Sequence, residues 1–287
     1  MKPTDLKRII RRISDLPTLP RTVLRITELI NNPRSSASDL ARVITDDQVL
    51  TARLLRLVNS AFYGFPQQIS TVTRAVVLIG FDAIRNLLLT TSVFDLFTNT
   101  KERDQQKLEK FWDHSMACAV GAKVIASHLR YEKVEALFVA GLLHDIGKII
   151  EMLYLQDDFT RVEALVAEKN ILMLRAEEQL LTYTHAEVGK LLAERWNLPP
   201  KLMNAIAYHH QPDLAAENAL EASIVHLADI LARALNVGSG GDSKMPALNP
   251  SSWELLNIRA DAISPLLEEI EKEFQDIDLS LIVDLNG

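Results

Sequence analysis

Apolar residues recur along most of this chain at the spacing of one helical face. Val23, Ile26, Leu29 and Ile30 form such a stripe between Arg21 and Asn31, and Pro33 stops it. Leu40, Val43 and Ile44 mark a second helix opened by Ser38 and Asp39. Val49, Leu50, Leu54, Leu57 and Val58 mark a third, capped by Thr45-Asp46-Asp47. Asn59 to Gly64 ends it, with Gly64 suited to a left-handed C-terminal cap and Pro66 preventing resumption. Thr71–Leu78 and Phe81–Phe94 read as two further helices joined through Gly80. Upstream, residues 5–15 carry a helical pattern, which Leu16-Pro17-Thr18-Leu19-Pro20 breaks because the residue before a proline is pushed out of the α region. Beyond residue 107 the pattern predicts helices over 108–129, 133–150, 157–170, 174–181, 185–196, 200–210 and 219–236. Thr184 and Glu187 have the spacing of a capping box, which puts His185 in a first helical turn. No stretch alternates at period two, so the expected fold is all-α.

Polar residues Asn99 to Lys107 form the candidate boundary between two helical halves. The expected organisation is 1–104, 105–236, and a tail 237–287. The tail opens with a long, glycine- and proline-rich, flexible loop, Asn236 to Ser252. An amphipathic helix, Ala260 to Phe274, follows and packs back as a brace.

Bulk chemistry narrows the class. The 287 residues are 48% hydrophobic and 24% charged, as in a soluble globular protein. Apolar runs such as Ala75–Ile79 are too short to cross a membrane, and the N-terminus lacks a secretory signal's apolar core. A single cysteine, Cys118, leaves no intramolecular disulfide and fits a reducing cytoplasm; it reads as a small buried hydrophobe. With a net charge of −7 the chain has no global field for wrapping nucleic acid, and the basic cluster Lys7, Arg8, Arg11 and Arg12 reads as a solvated helix face. Neither nucleic acid nor membrane is an expected partner.

Chemistry concentrates in the histidines. His144-Asp145 follows the apolar run Ala136–Leu143, with Lys148 one turn beyond the histidine. Neighbours on a helix point about 100° apart, and both could reach an ion held between helices. His114, His185, His209, His210 and Asp229 fall within or at the edges of predicted helices. Nitrogen and carboxylate ligands without thiolate suit iron, manganese, zinc or nickel. Seven such groups exceed the needs of one ion, and two ions bridged by Asp145 and a water would use them all. His226, one turn before Asp229, is a candidate for supporting a ligand.

The order His114, His144-Asp145, Asp229 resembles the HD-domain superfamily of metal-dependent phosphohydrolases. A sharper resemblance, to the HDOD (HD-related output) domain of bacterial signalling proteins, rests on several stretches. In the first half these are Leu16–Pro20, Ile44–Asp47, Arg53–Gly64, Ser70–Gly80 and Arg85-Asn86-Leu87; in the second, His185–Gly189, Trp196–Pro199 and Tyr208-His209-His210. It implies a multi-helical HD-like bundle with an HDOD-specific N-terminal helical subdomain, acting as a regulatory output module that meets a signalling protein partner through that subdomain. An active phosphohydrolase or phosphodiesterase, taking a phosphate-containing small molecule, is the alternative. By analogy with bimetallic HD enzymes, His114, His144, Asp145 and Asp229 would hold one ion, and Asp145, His185, His209 and His210 the second. The ions are expected to be divalent first-row metals, iron or manganese before zinc or nickel. Asp145 and Lys148 are the expected catalytic residues, with Lys148 on the substrate phosphate. Gln211-Pro212-Asp213 follows the paired histidines where the HD-GYP phosphodiesterases carry a glutamate and a Gly-Tyr-Pro run, and Lys110 stands where some of them use a glutamate. Cyclic di-GMP hydrolysis is therefore disfavoured.

Overall fold

The computed structural model describes residues 18–59, 63, 65–98 and 102–276. The expected helix at 5–15 with its basic cluster, the Leu16-Pro17 break, Phe62 and the Gly64 cap lie outside the described residues. Those described are helical or irregular, with no strand among them. The chain divides into two compact units, Pro17–Lys101 and Glu102–Phe274, its outermost segments aside.

The smaller unit has four helices, α1 (Arg21–Asn31), α2 (Ala37–Thr45), α3 (Gln48–Val58) and α4 (Val72–Thr98), and α4 packs against each of the others. Helix α2 starts one residue before the expected Ser38. Ser36 rather than Ser38 closes a capping box with Asp39, whose carboxylate accepts from the Ser36 backbone N–H at 2.9 Å. Asp47 caps α3 by accepting from Leu50 N at 3.0 Å. At the other end of α3, Asn59 works as a clasp: its amide donates to Leu55 O (2.7 Å) and Ile69 O (2.8 Å) and accepts from Ile69 N (2.7 Å). Gly80, at φ 84° and ψ 166°, breaks α4 where the two helices were expected to join. The stretch Val72–Val93 has the length and apolarity of a membrane span, but 61% of it is buried in the protein, as in a core helix.

In the larger unit, α5 (Glu102–His128) packs most extensively on α6 (Val134–Leu143). Residues Leu137–Leu143 of α6 are all buried, so this helix is apolar on every side. Gly141 permits the approach: a Cβ there would lie 2.7 Å from Cys118 O. The remaining helices are α7 (Ile146–Tyr154), α8 (Gln156–Lys169), α9 (Met173–Leu180), α10 (His185–Arg195), α11 (Pro200–Tyr208), α12 (Ala219–Ala234), α13 (Pro250–Leu256) and α14 (Ile263–Asp276). Helix α14 buries Leu266 and Ile270 and pairs Glu273 with Lys123 at 2.8 Å.

One sequence expectation needs correcting here. The single helix over 133–150 is two, because Asp145 leaves helical geometry at φ −100° and ψ 14°. The His144 ring donates through Nδ1 to Gly141 O at 2.7 Å, occupying the carbonyl that the Asp145 N–H would take in a continuous helix. The break swings two consecutive side chains into the unit's interior.

Candidate metal centre

The seven nominated residues arrive from five helices or helix ends. His114 lies in the middle of α5, Asp229 in α12, and His144-Asp145 in the α6–α7 break. His185 is the first residue of α10, fixed by the Thr184–Glu187 capping box that the spacing predicts. His209 ends α11 and His210 follows it. The structure brings all seven together in two groups: His114, His144 and Asp229 in one, Asp145, His185, His209 and His210 in the other. Within each group the donor atoms lie within 4.8 Å of one another. Asp145 stands between the groups. Its Oδ2 is 3.3 Å from His144 Nε2 and 3.7 Å from His114 Nε2, while Oδ1 is 3.3 Å from His185 Nε2 and 3.5 Å from His209 Nε2. Asp229 Oδ1 is 3.0 Å from His114 Nε2 and 3.8 Å from His144 Nε2.

Backbone and carboxylate partners fix the imidazole tautomers. Nδ1–H of His144 donates to Gly141 O (2.7 Å), that of His209 to Ile206 O (2.8 Å), and that of His185 to Glu177 (2.8 Å). In all three the Nε2 lone pair is left to face Asp145. His185 Nε2 and His210 Nε2 lie 2.8 Å apart, a spacing that needs a proton or a cation between them. His226 supports the site from one step away: its Nδ1–H donates to the carbonyl of His209 at 2.7 Å, and its Nε2 accepts from Asn249 N at 3.0 Å.

Burial favours the neutral, ligating form at three of the histidines, whereas at His144 burial is outweighed by Asp145, which holds that imidazole well above its ordinary value. Burial pushes His209 down to about 4, His210 well below the ordinary imidazole value, and His114 down as well. Burial raises the Asp145 carboxyl, but His144 and Lys148 outweigh it and hold that acid well below the usual range. Asp229 is likewise raised by burial and held well below by Arg233 and His114. Neutral imidazoles beside ionised carboxylates are the forms that bind metal. His114 Nε2, His144 Nε2, His209 Nε2 and Asp145 Oδ1 are buried with no hydrogen-bond partner. Orphaned buried donors and acceptors are rare in folded proteins, and ions between the groups would satisfy these. The residues present fit a divalent metal centre.

Several contributors carry no local sequence signal. Glu177, fully buried in α9, accepts from both the ring and the backbone N–H of His185, the latter at 3.0 Å. Glu151 of α7 is buried with both oxygens unpartnered, and burial, then Glu177, pushes its carboxyl well up. Arg233 donates to Asp229 Oδ1 at 3.0 Å; its place four residues after Asp229 was the available clue. Lys148 is buried, not a solvated helix-end cation. Its Nζ donates to Asp145 Oδ2 and to Gly240 O at 2.8 Å.

Gly240 belongs to the Asn236–Ser252 stretch expected as a flexible loop, which the structure ties down. Ser239 N donates to Lys110 O (2.8 Å), while Asp242 accepts from Arg233 (3.0 Å) and from Met173 N (2.8 Å). Replacing Glu177 with glutamine weakens the partner that orients His185. Metal affinity of the second group is expected to fall roughly 10–100-fold, read by competitive titration against a chromophoric chelator, with the first group little changed.

An all-helical protein with a buried histidine–aspartate centre in its larger unit is the class these features define. Residues 16–212 match the HDOD domain model, and the chain belongs to the HDOD family. A protein of Treponema pallidum (strain Nichols), itself uncharacterised, is 30% identical over 210 residues, 73% of this chain and 40% of that protein. The chain thus spans less than half the length of that curated relative. Among solved structures, an HDOD-domain protein of unknown function from Geobacter sulfurreducens superposes with a TM-score of 0.76 at 30% identity, over 97% of both chains. A protein of Shewanella amazonensis SB2B, described as a candidate phosphohydrolase, superposes with a TM-score of 0.70 at 25% identity, over 97% of this chain and 98% of that one.

Proposed function

We propose that this HDOD protein is a metal-dependent phosphohydrolase with a two-ion centre. The observation that carries the reading is the pair of thiolate-free donor groups meeting at Asp145, with four buried donor atoms left without a hydrogen-bond partner. His114, His144 and Asp229 would hold one ion, and His185, His209 and His210 the other, with Asp145 reaching both. Iron or manganese suits this donor set before zinc or nickel. Divalent ions so held supply a water activated near neutral pH and draw charge from phosphoryl oxygens.

The chain's own residues do the rest. Glu177 and the Gly141 and Ile206 carbonyls hold the imidazoles with Nε2 inward. Lys148 has three N–H donors, and Asp145 and Gly240 engage two, leaving one for a phosphoryl oxygen. The similarity to the Shewanella protein supports this chemistry.

A second reading is regulation through a signalling partner that docks on the N-terminal unit. Its observation is the exposure of Val49, Val77 and Leu78 there, at 61%, 69% and 48%. A cytoplasmic setting goes with either reading. The test is elemental analysis of protein purified without a metal-affinity column, with phosphatase and phosphodiesterase assays on the same sample. About two divalent ions per chain with turnover of a generic phosphoester is expected. Protein that stays metal-free after supplementation would overturn the reading.

A further inference from the structure

Beside the second donor group the larger unit has a partly open cavity of about 130 Å³. His185 and His210 form part of its wall with Lys148, Arg175, Arg233 and one acid, Asp242; behind the wall Asp145 pairs with Lys148 and Asp229 with Arg233, while Glu178 pairs with Arg175. Asp242 is already engaged by Arg233, by Met173 N and by Lys244 N. Most of the remaining wall is apolar, Leu172 and Pro246 included. What suits the cavity to an anion is the N–H donors these pairs leave over, one on Lys148 and four on Arg175.

Its size limits that anion. Pockets for drug-sized ligands run to roughly 300–1,000 Å³, and an apolar cavity of about 150 Å³ accepts benzene, with six heavy atoms. A phosphoryl group has five heavy atoms and fits; a cyclic dinucleotide does not. Whatever the phosphoryl group is attached to must leave past the rim, where Arg175 is exposed. Glu178 takes one of its N–H groups at 2.6 Å, and a guanidinium carries five.

Resting on the hydrolase reading, we infer that the cavity seats the phosphoryl group of a compact phosphomonoester, and that Arg175 is a specificity-determining residue for its dianion. In the reaction a water oxygen bonds to phosphorus as the ester P–O bond breaks. The leaving oxygen keeps the bonding pair and takes a proton, giving an alcohol and inorganic phosphate, with no oxidant or reductant required. A diester has one anionic charge fewer for Arg175 to meet and a second substituent that must also pass the rim.

The probe is inorganic phosphate, titrated calorimetrically into the full chain, with the metal content of each sample measured. 4-Nitrophenyl phosphate and bis(4-nitrophenyl) phosphate are compared as substrates. Phosphate is expected to bind at one site, and Arg175→Gln to weaken it about tenfold or more, as for loss of a charge-assisted contact. Arg175→Lys should recover part of the loss, and kcat/KM for the monoester should fall by a similar factor, with the diester turned over more slowly throughout. Arg175 is exposed, so its loss leaves folding intact, which unchanged Tm checks. Equal phosphate affinity in Arg175→Gln and the parent, or a preference for the diester, would overturn the inference. Metal-loaded protein that hydrolyses diesters but binds no phosphate leaves the hydrolase reading standing without it. Metal-free protein whose phosphate affinity depends on Arg175 keeps the anion site and removes the hydrolase reading.

Discussion

Replacing Asp145 with alanine is expected to abolish metal uptake by both donor groups at once. Its two oxygens face both: Oδ2 looks toward His114 and His144, Oδ1 toward His185 and His209. Elemental analysis should fall from about two ions per chain to less than one, with phosphoester turnover lost in the same sample. The substitution also takes the carboxylate from buried Lys148, leaving Gly240 O as its remaining polar partner. Breaking a buried pair from one side costs about 3–5 kcal/mol, so a lower Tm is expected before metal is considered. Retention of both ions would remove Asp145 from the site. Loss of one ion with the other kept would show that the groups do not share it.

Gly147→Ala should separate the two groups. A Cβ at this position would lie 1.9 Å from the backbone oxygen of His185, and that atom cannot yield as a flexible side-chain tip could. Helices α7 and α10 would have to part where α10 begins, displacing His185 from Asp145. Overpacking of this kind costs about 1–3 kcal/mol, a fall in Tm of several degrees for a unit of this size. The second group should lose its ion while His114, His144 and Asp229 keep theirs, so stoichiometry drops by half. Unchanged Tm and full metal content would mean the helices separate freely, and that this close contact does not position His185.

Features readable in the sequence were those encoded locally. The Thr184–Glu187 box, Asp47 as a cap and the Gly80 break each follow from a few adjacent residues, and each is present. The all-helical fold follows from apolar periodicity. The seven donors could be nominated because histidines in helices at those intervals resemble a known order. Their division between groups, with Asp145 reaching both, is a matter of three-dimensional placement. Spacing hides the α6–α7 break, since Ala136–Ile150 keeps a helical pattern through it and a side-chain bond to Gly141 O does the breaking. Glu177 was invisible for a related reason: an acidic residue on an amphipathic helix normally faces water, and only folding puts it under His185. The segment after Asn236 reads as mobile because glycine and polar residues carry no packing signal. Its order comes from Lys148 and Met173, both far from it in the chain, and from Arg233 in the last turn of the helix before it.

The two donor groups differ in where the chain writes them. Asp145, His185, His209 and His210 all fall inside the span matched to the HDOD family, residues 16–212, whereas the other group is completed by Asp229, beyond its end. The four-residue set thus lies wholly within the matched span, and the three-residue set takes its last member from helix α12. Asp229 and the Arg233 that steadies it sit on that one helix, and replacing either alters no member of the other set. Substitutions confined to α12 can therefore act on one ion and spare the other.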